Sequence, residues 1–256
     1  MEMKTTDERL LDVFYELDKQ QDFPINEIQK KVAFVSTPRC GSSMFCDILR
    51  QTGKVGFPRE WINMRYLNAY AKYTRSNNID MEQYLDFILR KTTSSNGIFS
   101  INFHIEQYTE MLKHKFDAFS LNFDKCYYLH RLEKIDQAYS LAKASLTDQW
   151  SSTTKATNEL TGDVGRQNIL QSLIHLSQCE EYYINNMKRH ITKEYAYEEF
   201  SSSNKTDIFN EIMSDLEITV PQNKWTTSMK KQQNQSGIAE LQKLKKYLSY
   251  SAIWQT

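Results

Sequence analysis

Apolar residues recur along the chain at two different periods, one typical of helices and the other of buried strands. A helix is predicted after the capping sequence TTDE at residues 5–8, because the apolar positions that follow it return with helical spacing. A continuous apolar run at 31–36 predicts a buried strand, and a helix is predicted at 42–51, closed by Gly53. The remaining predicted elements are strands at 98–103, 126–129 and 193–197, and helices after Asp80, at 133–146, at 166–188, around 208–213 and near the C-terminus.

Strands that alternate with helices are typical of an α/β layered fold, so the sequence predicts a central parallel sheet flanked by helices. We expect one domain across residues 1–256, with a basic polar tail and a terminal helix from residue 222. Residues 54–66 are predicted to be irregular. The polar run SSTTKATNELTG at 151–162 is predicted to be an exposed loop.

The composition narrows the possible function classes. A quarter of the 256 residues are charged, yet the formal net charge is zero, which argues against bulk binding to nucleic acid or to an anionic membrane. No apolar run approaches the roughly 18 to 20 residues of a membrane helix, and the N-terminal MEMKTTDERL lacks an apolar signal core. We therefore expect a cytoplasmic protein with no membrane span and no nucleic-acid partner.

The cysteine pattern points to ordinary reduced residues. Read for CxxC pairs and for histidines at ligand spacing, the four cysteines indicate neither a zinc site nor a disulfide framework. They are Cys40, Cys46, Cys126 and Cys179.

The stretch FVSTPRCGSSMFCDILRQTG at 34–53 predicts a strand, a tight loop and the start of a helix. The first amides of a helix are unpaired and lie at the positive end of its dipole, so this arrangement favours an anion. Aligned on Gly41, the ATP-type P-loop pattern GxxxxGK[ST] would place its lysine at Ser42, so that lysine is missing. A later predicted strand ends in His130 and Arg131 instead of a magnesium-binding carboxylate. These features favour a nucleotide that carries phosphate at two places.

Three segments resemble the Stf0 family of bacterial sulfotransferases. STPRCGSSMFCDILRQTGKVGFPREW at 36–61 is similar to the family's 5′-phosphosulfate segment, TPRSGSTLLCxLLxxTGxxGxPxEY. HRLEKIDQAYSLAKASLTDQWSST at 130–153 is similar to its 3′-phosphate segment, RRDKxxQAxSLxxAxxTxxW. A weaker match is EYAYEEF at 194–200. Together the matches cover most of residues 32–221.

The resemblance implies a P-loop-like, nucleotide-binding sulfotransferase fold and an enzyme that needs no metal. The reaction implied is transfer of a sulfuryl group from 3′-phosphoadenosine 5′-phosphosulfate (PAPS) to a hydroxyl of a carbohydrate or glycoconjugate, with adenosine 3′,5′-bisphosphate (PAP) as product. Family members form dimers, so a homodimer is expected. The type substrate of the family is trehalose.

The same resemblance implies the site residues. Glu60 takes the position of the general base and Arg39 that of a catalytic cation. Trp61 is expected to offer an apolar platform to the acceptor sugar or to pack in the core, and His104 to contact the acceptor or carry a proton. The implied cofactor residues are Arg39, Cys40, Gly41, Ser42 and Ser43 around the 5′-phosphosulfate, with Arg131 and Ser140 at the 3′-phosphate.

Three positions depart from the family pattern, and they keep alternatives open. Cys40 replaces a serine, Leu132 replaces a second arginine, and Asn102 stands where lysine is usual. Cys40 is a tolerable exchange of small side chains, whereas Leu132 and Asn102 make a degenerate, non-catalytic nucleotide- or sugar-binding protein the alternative function. A P-loop kinase is disfavoured by the missing lysine. The acceptor stays open among a free disaccharide, a glycolipid and the precursor of a secreted polymer.

Overall fold

The computed structural model describes residues 6–151, 156–160, 162–203, 205–219, 225–227, 229 and 241–246. Within these residues, four strands form one parallel sheet in the order β2-β1-β3-β4. The strands are β1 (Lys30–Ser36), β2 (Ile98–His104), β3 (Lys125–His130) and β4 (Lys193–Ala196). Helices flank the sheet, so the predicted α/β fold is confirmed.

Both faces of the sheet are covered, and β1 shows how the sequence achieves this. Successive side chains of a strand point to opposite faces. Ala33 and Val35 pack into one core cluster, whereas Val32 and Phe34 pack into a second cluster on the other face. A parallel strand buried on both faces is a continuous apolar run, which is the pattern that predicted it.

The helices follow the predicted order with three additions, which are α3 (Met64–Thr74), α5 (Ile105–Lys113) and the short α8 (Tyr197–Phe200). α3 lies inside and beyond the stretch predicted as irregular, and α5 begins directly after β2; neither was predicted. α7 continues into a π-helical turn at Tyr183–Met187, and short 3₁₀ turns lie at Ile25–Glu27, Ala118–Leu121 and Lys188–His190. The helices are α1 (Thr6–Asp18), α2 (Ser42–Arg50), α3 (Met64–Thr74), α4 (Met81–Thr92), α5 (Ile105–Lys113), α6 (Lys134–Thr147), α7 (Arg166–Tyr182), α8 (Tyr197–Phe200) and α9 (Lys205–Asp215).

An aromatic cluster joins α1 to α3 and α4 on one side of the sheet. Phe14 of α1 is fully buried and meets the rings of Trp61, Tyr66 and Tyr84. Such ring pairs contribute beyond the apolar area that they bury. The cluster therefore holds α1 and the segment before α3 in place, and both border the cavity described below.

Several predicted features fall partly outside the described residues. The residues outside the description include residue 5 of the first capping sequence, residues 152–155 and 161 of the polar loop, and most of the tail from 222. Residues 241–246 are helical, as predicted for the terminal helix. Among the described residues, no helix has the length and apolar content that crossing a membrane requires.

Candidate active site

The carboxyl ends of the parallel strands meet at one edge of the sheet, and the candidate site lies there. The chain runs from β1 to β2 on one side and then crosses to β3 on the other, so the connections diverge between β1 and β3. Ligands of open α/β sheets bind in the crevice at such a switch point. The loop that follows β1 and the residues that end β3 are therefore the first candidates for binding.

The loop between β1 and α2 has a backbone that only particular residues allow. Gly41 has φ +87°, and a Cβ there would collide with the Tyr197 ring, whose Cε2 would lie 2.8 Å away. Arg39 also adopts the left-handed region, with φ 62°. Gln137 of α6 donates to the Pro38 carbonyl oxygen (2.7 Å). The loop is thus fixed from both sides, with the N-terminus of α2 directed at the crevice.

Arg39 extends from this loop towards α6. Its Nε donates to Ser140 Oγ (3.0 Å) and its Nη1 to the carbonyl oxygen of Trp150 (2.5 Å). Burial lowers the pKa of Arg39, Glu60 opposes that effect, and Arg131 adds to it. A guanidinium stays charged in spite of such shifts. The crevice therefore holds two arginines that repel each other, an arrangement that an anion would relieve.

Arg131 follows the last residue of β3. Its guanidinium lies over the Tyr197 ring, 4.8 Å from the centroid, and its Nε is 3.8 Å from Glu198 Oε1. That Nε is buried and has no hydrogen-bond acceptor among the described residues. A buried donor without an acceptor costs about 1–3 kcal/mol. The neighbouring Leu132 is 59% exposed and brings no cation to the site.

Glu60 lies on the segment before α3. Its Oε2 accepts from Asn63 Nδ2 (2.9 Å) and from Gln107 Nε2 (2.7 Å), while its Oε1 lies 3.8 Å from His104 Nε2. Asn63 also caps α3 through its side-chain oxygen. One carboxylate oxygen is thus anchored and the other is directed towards His104. The sequence indicated neither Asn63 nor Gln107 as a partner of Glu60. Asn63 lies in the stretch predicted to be irregular, and Gln107 belongs to the unpredicted helix α5.

His104 ends β2 and connects the carboxylate to the loop. Its Nε2 is 3.4 Å from Ser42 Oγ, and its Nδ1 is 3.8 Å from Glu106 Oε1. Burial lowers the pKa of His104, but Glu60 and Glu106 outweigh it, so the pKa lies above its ordinary value. The histidine, Glu60 and the start of α2 therefore form one contiguous polar group.

One cavity of about 1220 Å³ contains most of these groups. Small-molecule sites measure roughly 300–1,000 Å³, so this cavity has room for a nucleotide and a second molecule. Residues of α1 and Phe57, which the sequence did not assign to the site, also line this cavity. The predicted site residues that line the cavity are Arg39, Gly41, Ser42, Ser43, Glu60, His104, Arg131 and Ser140.

Two predicted site residues need correction. Trp61 has no exposed surface, and its Nε1 donates to the Phe57 carbonyl oxygen (3.0 Å), so the proposed sugar platform is wrong and the core alternative holds. The Cys40 side chain is also fully buried, and burial raises its pKa to about 11. Only the backbone of Cys40 can contact a nucleotide.

Asn102 has a clear structural role. It is 2% exposed, its Oδ1 accepts from Ser36 Oγ (3.1 Å), and its backbone N–H donates to the Arg59 carbonyl oxygen (2.9 Å). Asn102 therefore ties β2 to β1 and to the segment that carries Glu60. Because its amide is neutral, it cannot replace the charge of the lysine that is usual at this position.

The fold and the crevice define an α/β protein whose loop, at the switch point of a parallel sheet, has a geometry that suits an anion. The profile of the Stf0 sulphotransferase family matches residues 32–245, so the chain belongs to that family, as its motifs predicted. The matched range begins in β1 and leaves out α1, although α1 borders the cavity. A search of curated proteins found no match. Family membership supports sulfuryl transfer as the type of reaction.

Proposed function

We propose that the protein transfers a sulfuryl group from PAPS to a hydroxyl of a carbohydrate or glycoconjugate acceptor in the cytoplasm. The observation that carries the proposal is the buried Nε of Arg131, which lacks an acceptor among the described residues and shares a cavity with Arg39. Two cationic positions at the ends of neighbouring strands match a nucleotide with phosphate groups at both its 3′ and 5′ ends. Such a nucleotide would supply the missing acceptor.

The donor would bind across the switch point. The 5′-phosphosulfate would lie at the N-terminus of α2, against the amides near Gly41, the Arg39 guanidinium and the hydroxyls of Ser42 and Ser43. During transfer the bond between sulfur and the bridging phosphate oxygen breaks, and negative charge grows on that oxygen. The helix dipole and Arg39 would stabilise this charge, and PAP would leave. Arg131 would hold the 3′-phosphate.

The placement of Ser140 modifies the expected 3′-phosphate site. Ser140 Oγ accepts from Arg39 Nε, so its contact in the described structure is with the arginine of the 5′ site. As a hydroxyl it can also donate, and the hydrogen of that hydroxyl stays available to a phosphate oxygen. We propose that Ser140 positions Arg39 and donates to the nucleotide at the same time.

The acceptor step would use Glu60. Its Oε1 would take the proton of the acceptor hydroxyl as the hydroxyl oxygen bonds to sulfur. Asn63 and Gln107 hold the other oxygen, which restricts rotation of the carboxylate. His104, 3.8 Å from Glu60 Oε1, would hydrogen-bond the acceptor or the transferred group. The acceptor would occupy the part of the cavity that α1 lines. The homodimer stays a prediction.

A non-catalytic nucleotide- or sugar-binding protein is the second candidate. It is favoured by Leu132 and Asn102, which leave the crevice with fewer cations than the family pattern provides. Such a protein would keep the cavity and the loop, yet it would stabilise the charge of the transition state less.

A transfer assay separates the two functions. The full chain is incubated with sulfur-35 PAPS and a panel of acceptors that includes trehalose, other disaccharides and a glycolipid. Labelled product that depends on the protein supports the enzyme. If PAP binds but no acceptor is labelled, the binding protein is favoured. In a parallel incubation, labelled ATP and magnesium replace PAPS, and phosphoryl transfer to an acceptor there would instead indicate a kinase.

A further inference from the structure

Three side chains with different ligand atoms converge between α5 and α7, behind His104. They are Glu106 of α5, and His175 and Cys179 of α7. Glu106 Oε2 lies 2.6 Å from His175 Nε2 and 4.0 Å from Cys179 Sγ, and the histidine nitrogen lies 3.8 Å from the same sulfur. The two residues of α7 are four apart, so they lie on one face of that helix.

A catalytic triad is the first reading of a cysteine, a histidine and a glutamate in contact. A triad uses both ring nitrogens, one for the nucleophile and the other for the carboxylate that orients the ring. Here the sulfur and the carboxylate oxygen both lie next to Nε2. The three atoms therefore surround one point instead of forming a relay, and that is the arrangement of ligands around an ion.

The distances agree with a zinc centre. Zinc–ligand bonds of about 2.0–2.3 Å in tetrahedral geometry separate the ligand atoms by about 3.4–3.6 Å. The two distances to Cys179 Sγ, 3.8 and 4.0 Å, are close to this range. The pair Glu106 and His175 is hydrogen-bonded at 2.6 Å and would open by about 0.8 Å to bind the ion instead. The side chains of both residues are only half-buried, so rotation about their side-chain bonds can supply this change.

The chemistry and the access of the site favour the same ion. A thiolate, an imidazole and a carboxylate together select zinc over magnesium or calcium, which prefer oxygen ligands. Cys179 is buried, whereas the side chains of His175 and Glu106 are 44% and 33% exposed. Solvent can therefore deliver an ion and supply its fourth ligand. The other carboxylate oxygen of Glu106 lies 3.8 Å from His104 Nδ1, a polar neighbour of the kind that orients metal ligands.

We propose that Glu106, His175 and Cys179 form a Zn²⁺ site that joins α5 to α7. The expectation of no zinc site overlooked His175, which stands at ligand spacing before Cys179. The third ligand comes from another helix, so only the fold could reveal it. The ion would stabilise the folded chain by binding it in preference to the unfolded chain. This proposal does not depend on the sulfotransferase assignment.

The test uses Co²⁺ as a visible substitute for Zn²⁺ in the full chain, after dialysis against a chelator. One equivalent of Co²⁺ should produce a thiolate-to-cobalt charge-transfer band and the visible bands of tetrahedral cobalt, and Zn²⁺ should abolish both. Cys179→Ser should lose the charge-transfer band. The matched control Cys126→Ser, at a buried cysteine of β3, should keep it.

Thermal unfolding gives a second readout that does not depend on the spectrum. Zn²⁺ should raise the Tm of the wild type and of Cys126→Ser but not that of Cys179→Ser. Should Cys179→Ser fail to fold, His175→Ala replaces it, with the exposed His114→Ala as its control. We expect His175→Ala to weaken Co²⁺ binding at least about tenfold. No thiolate band in the wild type, or an unchanged band in Cys179→Ser, would overturn the proposal.

Discussion

Replacing Glu60 by glutamine removes the charge of the proposed base and keeps its shape. The amide oxygen can occupy the position of Oε2 and accept from Asn63 and Gln107, as the carboxylate does at 2.9 and 2.7 Å. Hydrogen bonds to a charged group are worth about 1 kcal/mol more than neutral ones. With two such bonds weakened, the free energy of unfolding should fall by about 1–2 kcal/mol, and the variant should still fold.

The rate of transfer should change far more than stability does. A general base contributes about 10²–10⁴-fold, so the activation free energy should rise by about 3–5 kcal/mol. The affinity for PAP should stay the same or rise slightly, because the lost charge is no longer near the phosphates. Initial rates of transfer are measured for the wild type and Glu60→Gln with saturating sulfur-35 PAPS. The PAP affinity of both proteins is measured by calorimetry.

Glu110→Gln is the matched control for Glu60→Gln, because Glu110 is a carboxylate of α5 that pairs with Lys113 away from the cavity. It should transfer at the wild-type rate. Should Glu60→Gln transfer at the wild-type rate with a true acceptor, Glu60 is not the base. If PAP affinity and rate fell together, Glu60 would instead be part of the nucleotide site.

Three further predictions concern the loop, the 3′-phosphate and pH. Gly41→Ala should lower both the Tm and the affinity for PAP, because the added Cβ would collide with the Tyr197 ring. The control Gly53→Ala also changes a glycine with positive φ, but there is open space around it, so calorimetry should show an unchanged PAP affinity. Arg131→Met should weaken PAP about tenfold or more while barely changing 5′-AMP binding, and equal losses would contradict its role. Burial lowers the pKa of His130, so this residue binds more protons in the unfolded chain below about pH 6.5, and its own contribution to stability falls there. Urea unfolding at pH 7.5 and 5.5 should therefore show a smaller loss in His130→Phe than in the wild type; an equal loss would refute this.

The elements that were predicted correctly are those with a strong local pattern. β1 is a continuous apolar run because both of its faces are covered, and α2 follows a recognisable loop. α3 was missed because tyrosines supply much of its buried face, such as Tyr66, which packs on Phe14 of α1. α5 was missed because it begins at Ile105 with no connecting loop after His104.

The candidate site was predictable only where the family motifs supply it. The motifs located Arg39, Glu60 and Arg131, and the fold brings all three to one cavity. Their partners come from distant segments, and no local pattern marks such contacts. Trp61 illustrates the limit, since its burial depends on helices that lie before and after it in sequence.

The most direct test of the proposed activity is calorimetric titration of the full chain with PAP, 5′-AMP and magnesium-ATP under the same conditions. If Arg131 supplies a second phosphate site, PAP should bind about tenfold or more tightly than 5′-AMP, because a charge-assisted hydrogen bond is gained. Magnesium-ATP should bind more weakly than PAP. Equal affinities for all three, or tightest binding of magnesium-ATP, would contradict a PAPS-dependent site.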